Sequence, residues 1–286
     1  AYEIPLRLVG SEMCIRDSVW MMVNFLKKKE QKPWIRFFSL EPGLAENYPL
    51  IPTASIPRKW MTKEQRNTHC PFMGTQNVAN CPGLKLFTRT GYCVTSPMDF
   101  RIWTEGDGIS YRYEQVTTFA RHSNFISDHP PDQVVPLTRS KFDESLDGHL
   151  AHIIKLETPW RVRASDDIVF FQLPVYWNNE TRFEAVAGLY DPRYAMQVNV
   201  QLLWKVMDSG EDGTLIKAGT PLAQFIPIRR KELDNNWYDM KIETATQEDW
   251  DLENAFNYSL RAEYSTEDTV SRKIKRAKRA IKAHTD

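Results

Sequence analysis

Ile168-Val169-Phe170-Phe171-Gln172-Leu173 and Met196-Gln197-Val198-Asn199-Val200-Gln201-Leu202-Leu203-Trp204 decide the reading of this chain. Both runs are rich in β-branched and aromatic residues, and the second alternates apolar and polar side chains with the period of a half-buried strand. They sit inside a stretch, Trp160 to Arg230, where such runs recur at sheet-like intervals with turn residues between them. Within it, Thr214 to Ile216 and Leu222 to Ile228 read as strands joined through Lys217-Ala218-Gly219-Thr220-Pro221. The expected fold is mainly β, a β-sandwich or distorted β-barrel with a C-terminal helical extension.

Working outward, Pro33 to Leu40 reads as a strand that closes at Glu41-Pro42-Gly43, and the prolines between Tyr48 and Pro57 forbid regular helix and favour an extended segment. Leu84 to Thr88 and Tyr92 to Thr95 are expected as hairpin arms with Gly91 at the bend. Phe100 to Trp103 and Ile109 to Tyr113 form a second hairpin around Glu105-Gly106-Asp107-Gly108. After Arg230 an amphipathic helix is expected from about Glu248 to Glu263, packed against the β core, with a basic helix from about Glu267 to the end. The domain reading is a leader at 1–20, an N-terminal strand and Pro-rich segment at 21–80, a β-rich core at 81–232 and the helical extension at 233–286.

Composition narrows the function classes. The chain has 286 residues, 42% hydrophobic and 26% charged, which is ordinary for a globular protein with a sizeable core. Lys and Arg number 37 against 37 Asp and Glu, so a generally basic nucleic-acid binder is not indicated. No apolar run reaches the roughly 20 residues of a membrane-spanning helix, and no secretion signal is legible; a cytoplasmic protein without membrane contact is expected. Four cysteines are too sparse for a disulfide scaffold.

His69, Cys70, Cys81 and Cys93 are the one constellation with zinc-ligand chemistry, yet they lack the paired two-to-four-residue spacing of a structural zinc site. Buried free thiols at Cys81 and Cys93 are the competing reading. His122, His129, His149 and His152 raise a similar question without a metalloenzyme motif; surface positions explain those between Arg121 and Asp132, and His152 reads as part of a strand with Ile153, Ile154 and Leu156. On the last helix Arg272, Lys273, Arg276 and Arg279 form a cationic face for a weak phosphate or nucleic-acid contact, although acid first and base last also suits the helix dipole alone. No nucleophile elbow, phosphate loop, dinucleotide fingerprint or deaminase zinc signature is present.

Three resemblances add to this. Ala1 to Ser18 resembles translated sequencing-adapter read-through, which implies a native start at Met21 or Met22 and an environmental source. Gly188-Leu189-Tyr190-Asp191-Pro192-Arg193-Tyr194, followed by a strand and Gly219-Thr220-Pro221, resembles two motifs of the dUTPase and dCTP-deaminase superfamily. It would make Asp191 the water-activating carboxylate and Tyr194 the residue under deoxyribose, with Mg²⁺ as cofactor. The family's phosphate contact and Gly-rich terminal arm have no counterpart here.

From Cys81 to Arg230 the pattern resembles a family of bacterial and phage proteins without an assigned activity, through Cys81-Pro82-Gly83 with Gly91, Pro97 with Asp99, the Pro174 to Asn179 segment and Gly219-x-Pro221 before Phe225-x-Pro227. That resemblance implies a β-rich domain of phage or environmental origin, in host cytoplasm or virion, and transfers no catalytic residue. The leading expectation is a non-enzymatic binding or structural component with no cofactor, acting through a protein partner or self-association. The alternatives are a dUTPase-like nucleotide-binding or nucleotide-hydrolysing protein and a metal-dependent small-molecule enzyme.

Overall fold

A computed structural model describes residues 32–64, 77–116, 124–138, 148–206 and 208–259, together with positions 275 and 279. The chain divides into two compact units, 1–34 and 35–286, and the elements below all lie in the second. These are β1 (Ile35–Ser39), α1 (Leu44–Asn47), β2 (Ile51–Pro52), α2 (Pro82–Phe87), β3 (Tyr92–Thr95), β4 (Phe100–Thr104), β5 (Tyr111–Gln115), β6 (Ile126–His129), α3 (Pro131–Thr138), β7 (Ile153–Ala164), β8 (Ile168–Leu173), β9 (Phe183–Ala185), β10 (Gly188–Tyr190), β11 (Gln197–Trp204), β12 (Thr214–Ile216), β13 (Pro221–Arg229) and α4 (Gln247–Ser259).

The strands form three antiparallel sheets. One runs β1-β7-β11-β9, with β6 beside the other half of the edge of β7 that β1 occupies. The second runs β10-β8-β13-β3-β2, and the third β12-β4-β5. Among the described residues no sheet closes on itself, so the sandwich half of the expectation holds and the barrel half does not.

The alternation in β11 does what its sequence dictates. Val198, Val200, Leu202 and Trp204 are buried in the core, while Gln197, Asn199, Gln201 and Leu203 line the other face. On β7 the pattern breaks at Thr158-Pro159-Trp160. Proline offers no N–H to the ladder, and the pairing shifts from Asn199↔Glu157 to Gln197↔Arg161 across it. Thr158 compensates by donating its hydroxyl to the Val198 carbonyl at 2.5 Å, which keeps a buried acceptor satisfied.

Several expectations need correction. Residues 84–88 are not a hairpin arm: Pro82 stands at the first positions of α2, where its missing N–H costs nothing, and the turn runs on to Phe87. Strands β12 and β13 exist but do not pair with each other. Thr214–Ile216 pairs with β4, and β13 lies between β8 and β3 in another sheet. The hairpin of β4 forms with Thr104 opposite Tyr111, two residues later than the sequence suggested. Asp107 explains this, since its carboxylate caps the Ile109 and Ser110 N–H groups and uses them in the loop. Residues 231–254 do not pack on the core, since all are exposed; α4 is Gln247–Ser259, and Phe256 and Leu260, which the expected packing face included, lie outside the described side chains.

Candidate functional site: an aromatic loop and the cleft beneath it

Between β8 and β9 the chain makes a loop that starts at Pro174. Tyr176-Trp177-Asn178-Asn179 cannot continue a strand here, because Trp177 has φ 58° and Asn179 φ 65°. Asparagine enters the left-handed region at modest cost, but for a bulky residue such as tryptophan it is a true outlier that persists only when its surroundings hold it.

Three contacts hold it. The Trp60 indole N–H, on a short helical turn 117 residues away in sequence, donates to the Trp177 carbonyl at 2.8 Å. Asn178 Oδ1 accepts the Glu180 N–H at 3.0 Å. Below the loop Val175 is buried with Ile56 and Cys93. The result is a group of rings: Trp60 and Trp177 at 6.4 Å and 80°, Phe87 and Trp177 at 5.8 Å and 75°, Phe87 and Tyr176 at 6.0 Å. Yet Trp177 remains 47% exposed, and Tyr176, Val78 and Leu86 are exposed as well.

Polar groups fix the floor. Arg182 clasps Glu180 through two nitrogens, at 2.8 and 2.6 Å, and sends a third bond of 2.6 Å to the Leu215 carbonyl, tying the loop to β12. Burial alone would raise the Glu180 carboxyl; the bonds from Arg182 outweigh it and leave the group acidified. Lys205 pairs with Glu184 at the edge. A cleft of about 240 Å³ opens here, lined by Pro174 to Glu180 and by Phe183, Lys205 and Leu222 among others.

Two of the three segments that carry the rings are basic. Segments 56–64 and 82–90, which carry Trp60 and Phe87, contain five basic residues, Arg58, Lys59, Lys63, Lys85 and Arg89, against the single acid Glu64. Lys59, Lys63 and Arg89 are exposed. The arrangement is a half-exposed ring group with exposed basic residues on the segments that carry Trp60 and Phe87.

The residues singled out by sequence go elsewhere. Asp191, 14% exposed, lies in ion pairs with Arg230 at 2.9 Å and Arg193 at 3.2 Å. Burial opposes its charge, but the bonds from Arg230 and then Arg193 prevail and bring its carboxyl down to about 2. It is therefore a fixed anion and a poor proton acceptor at neutral pH. Tyr194 is 86% exposed, with the Arg193 guanidinium 5.6 Å from its ring centre.

A second cleft, also of about 240 Å³, opens beside this turn. It is lined by the carboxamides of Gln172, Gln197, Asn199 and Gln201, and the buried Asn199 Oδ1 has no hydrogen-bond partner.

Cys81 is half-buried at the start of α2, and Cys93 is fully buried, its thiol pushed up to about 12 by burial. Both are free cysteines. His69 and Cys70 lie outside the described residues, as does His122. Among the described residues no three His, Cys, Asp or Glu side chains are grouped to hold a metal ion. His152 instead meets Asp128 at 2.7 Å and stacks near Tyr111, and His129 meets Gln133. Arg272, Lys273 and Arg276 also lie outside the described residues, while Arg279 is helical and exposed. No helix among the described residues is long and apolar enough to cross a membrane.

Sequence reasoning missed the ring group. Tyr176-Trp177 directly after a strand was the available signal, but nothing local links it to Trp60 or Phe87. The chain matches no protein-family model and no curated protein.

Proposed function

We propose that this chain is a non-enzymatic binding component that takes an apolar polypeptide segment with acidic flanks on the surface formed by Trp60, Phe87, Tyr176 and Trp177. The observation that carries the reading is Trp177, held at φ 58° by the Trp60 hydrogen bond and its ring neighbours and still half exposed. Backbone strain of order 1–3 kcal/mol is retained where a fixed side-chain position serves a purpose, and rigid aromatic anchors are the residues that dominate protein interfaces. The basic border selects for acid in the partner.

The test is fluorescence anisotropy with labelled peptides of equal tryptophan and isoleucine content and either acidic or basic flanks. The acidic peptide binds, the basic one does not, and Trp177→Ala abolishes the difference. Equal binding of both peptides, or binding unchanged by Trp177→Ala, overturns the reading.

A second reading, a nucleotide site around Asp191, is favoured by one observation: in the neighbouring cleft, where Gln172 bonds Gln201 and Gln197 bonds the Thr158 carbonyl, the buried Asn199 Oδ1 is unpartnered. Carboxamides recognise the donor and acceptor edges of a base. The residues present do not fit a carboxylate-held Mg²⁺, since Asp191 is taken by two guanidinium groups. A thermal shift given by one deoxynucleotide and lost in Asn199→Ala supports this site; no shift with any deoxynucleotide removes it.

A further inference from the structure

The chain carries its own candidate for the segment the aromatic surface takes. From Leu233 to Leu252 the described residues expose Trp237, Tyr238, Met240, Ile242, Trp250 and Leu252, with Met240 77% and Ile242 91% exposed. Between positions 232 and 253 the sequence holds eight acids, Glu232, Asp234, Asp239, Glu243, Glu248, Asp249, Asp251 and Glu253, against the single base Lys241. Large apolar side chains in water with a strongly acidic background are the complement of an exposed ring group with a basic border.

The segments that carry the two surfaces leave one ladder at opposite ends. Strand β8 pairs with β13 from Leu173↔Gln224 to Ile168↔Arg229. The aromatic loop leaves β8 after Leu173, and the acidic arm leaves β13 after Arg229. Five residue steps separate these exits, roughly 17 Å at ~3.3 Å per residue. Opposite charge on two surfaces that leave the ladder at opposite ends suits a contact between two copies.

Resting on the binding reading above, we infer that the acidic arm, residues 233–252, of one copy docks on the Trp60–Phe87–Trp177 surface of a second copy. Different patches meet in this contact, so it is head-to-tail: it closes into a ring or propagates, according to the rotation between neighbours. Trp237 and Ile242 enter the ring group, and the acids of the arm face Lys59, Lys63 and Arg89.

The experiment uses the full chain in sedimentation velocity over a concentration series. Wild type gains mass with concentration. Trp177→Ala, which keeps the arm, and the double variant Trp237→Ser with Ile242→Asp, which keeps the ring group, each associate at least about tenfold more weakly. The altered arm positions are exposed, so folding is not at stake there, and a circular dichroism melt checks Trp177→Ala.

Mixing the two variants supplies one intact surface of each kind and restores a 1:1 dimer that grows no further. Wild type that stays monomeric at every concentration overturns the inference, and so does undiminished association by the arm variant. Acidic peptides that bind while wild type stays monomeric leave the binding reading standing and remove only the second copy as partner. Failure of both removes both.

Discussion

Asp191 shows how a single side chain changes role with its surroundings. A sequence resemblance would make it a catalytic carboxylate; in the fold two arginines hold it as an anion. Its folded pKa, about 2, lies below the usual 3.8, so the pairing stabilises the fold above roughly pH 4 and is lost as pH falls through about 2. The guanidiniums that hold it are partly exposed, so screening limits the effect to on the order of 1 kcal/mol. Urea unfolding of wild type and Asp191→Asn is expected to differ by that amount at pH 6 and to converge near pH 2. Equal stability at pH 6 would mean that the two ion pairs contribute nothing. Cys93 is similarly decided by its neighbours: a thiol raised to about 12 stays protonated in neutral solution, and slow alkylation of native protein at this residue is the expected result.

At the scale of elements, the junction of α2 and β3 depends on Gly91. Its φ is 79°, its carbonyl accepts the Thr53 N–H at 3.1 Å, and a Cβ at this position would run into the Phe225 carbonyl on β13. Left-handed backbone and a backbone clash act together, so Gly91→Ala is expected to lower stability by more than about 2 kcal/mol. Chemical denaturation reads this directly. Gly219, with φ 82° and open space around it, offers the contrast: Gly219→Ala bears the backbone cost alone, on the order of 1 kcal/mol. The glycine at 91 was recognisable as a turn residue. That the turn joins a helix to a strand was not, because Leu84-Lys85-Leu86-Phe87 is too short for its period to tell a helical turn from a strand.

For the molecule as a whole, the core draws on all three sheets, and within the first of them Trp204, fully buried, is stacked on its register partner Phe183 at 6.0 Å and 11°. Its indole N–H has no partner, so part of what Trp204 contributes by packing is offset. Trp204→Ala is expected to cost about 3–5 kcal/mol, and Trp204→Phe far less, since it removes the unsatisfied N–H together with one ring. Equal losses for the two would show that volume alone matters there. The self-association inferred above belongs to this scale too. It joins an acidic arm to a basic border, and raising salt from about 0.1 to 1 M, where the Debye length falls from ~10 to ~3 Å, is expected to weaken it.

By itself the sequence determined the class of fold and the identity of most core strands. Alternation in β11 and the continuous apolar run of β8 report burial through a period of two, and that period is a local property. The prolines at 49, 52 and 57 foretold an extended segment only in part: Ile51–Pro52 becomes the short edge strand β2, while Thr53–Ser55 winds into a turn of 3-10 helix. Partnership between strands was decided only in three dimensions, as β12 shows by leaving its sequence neighbour β13 for β4. The candidate site was decided there as well. Trp60, Phe87 and Trp177 are far apart along the chain, and what joins them is one indole hydrogen bond and a set of ring contacts that no local pattern encodes.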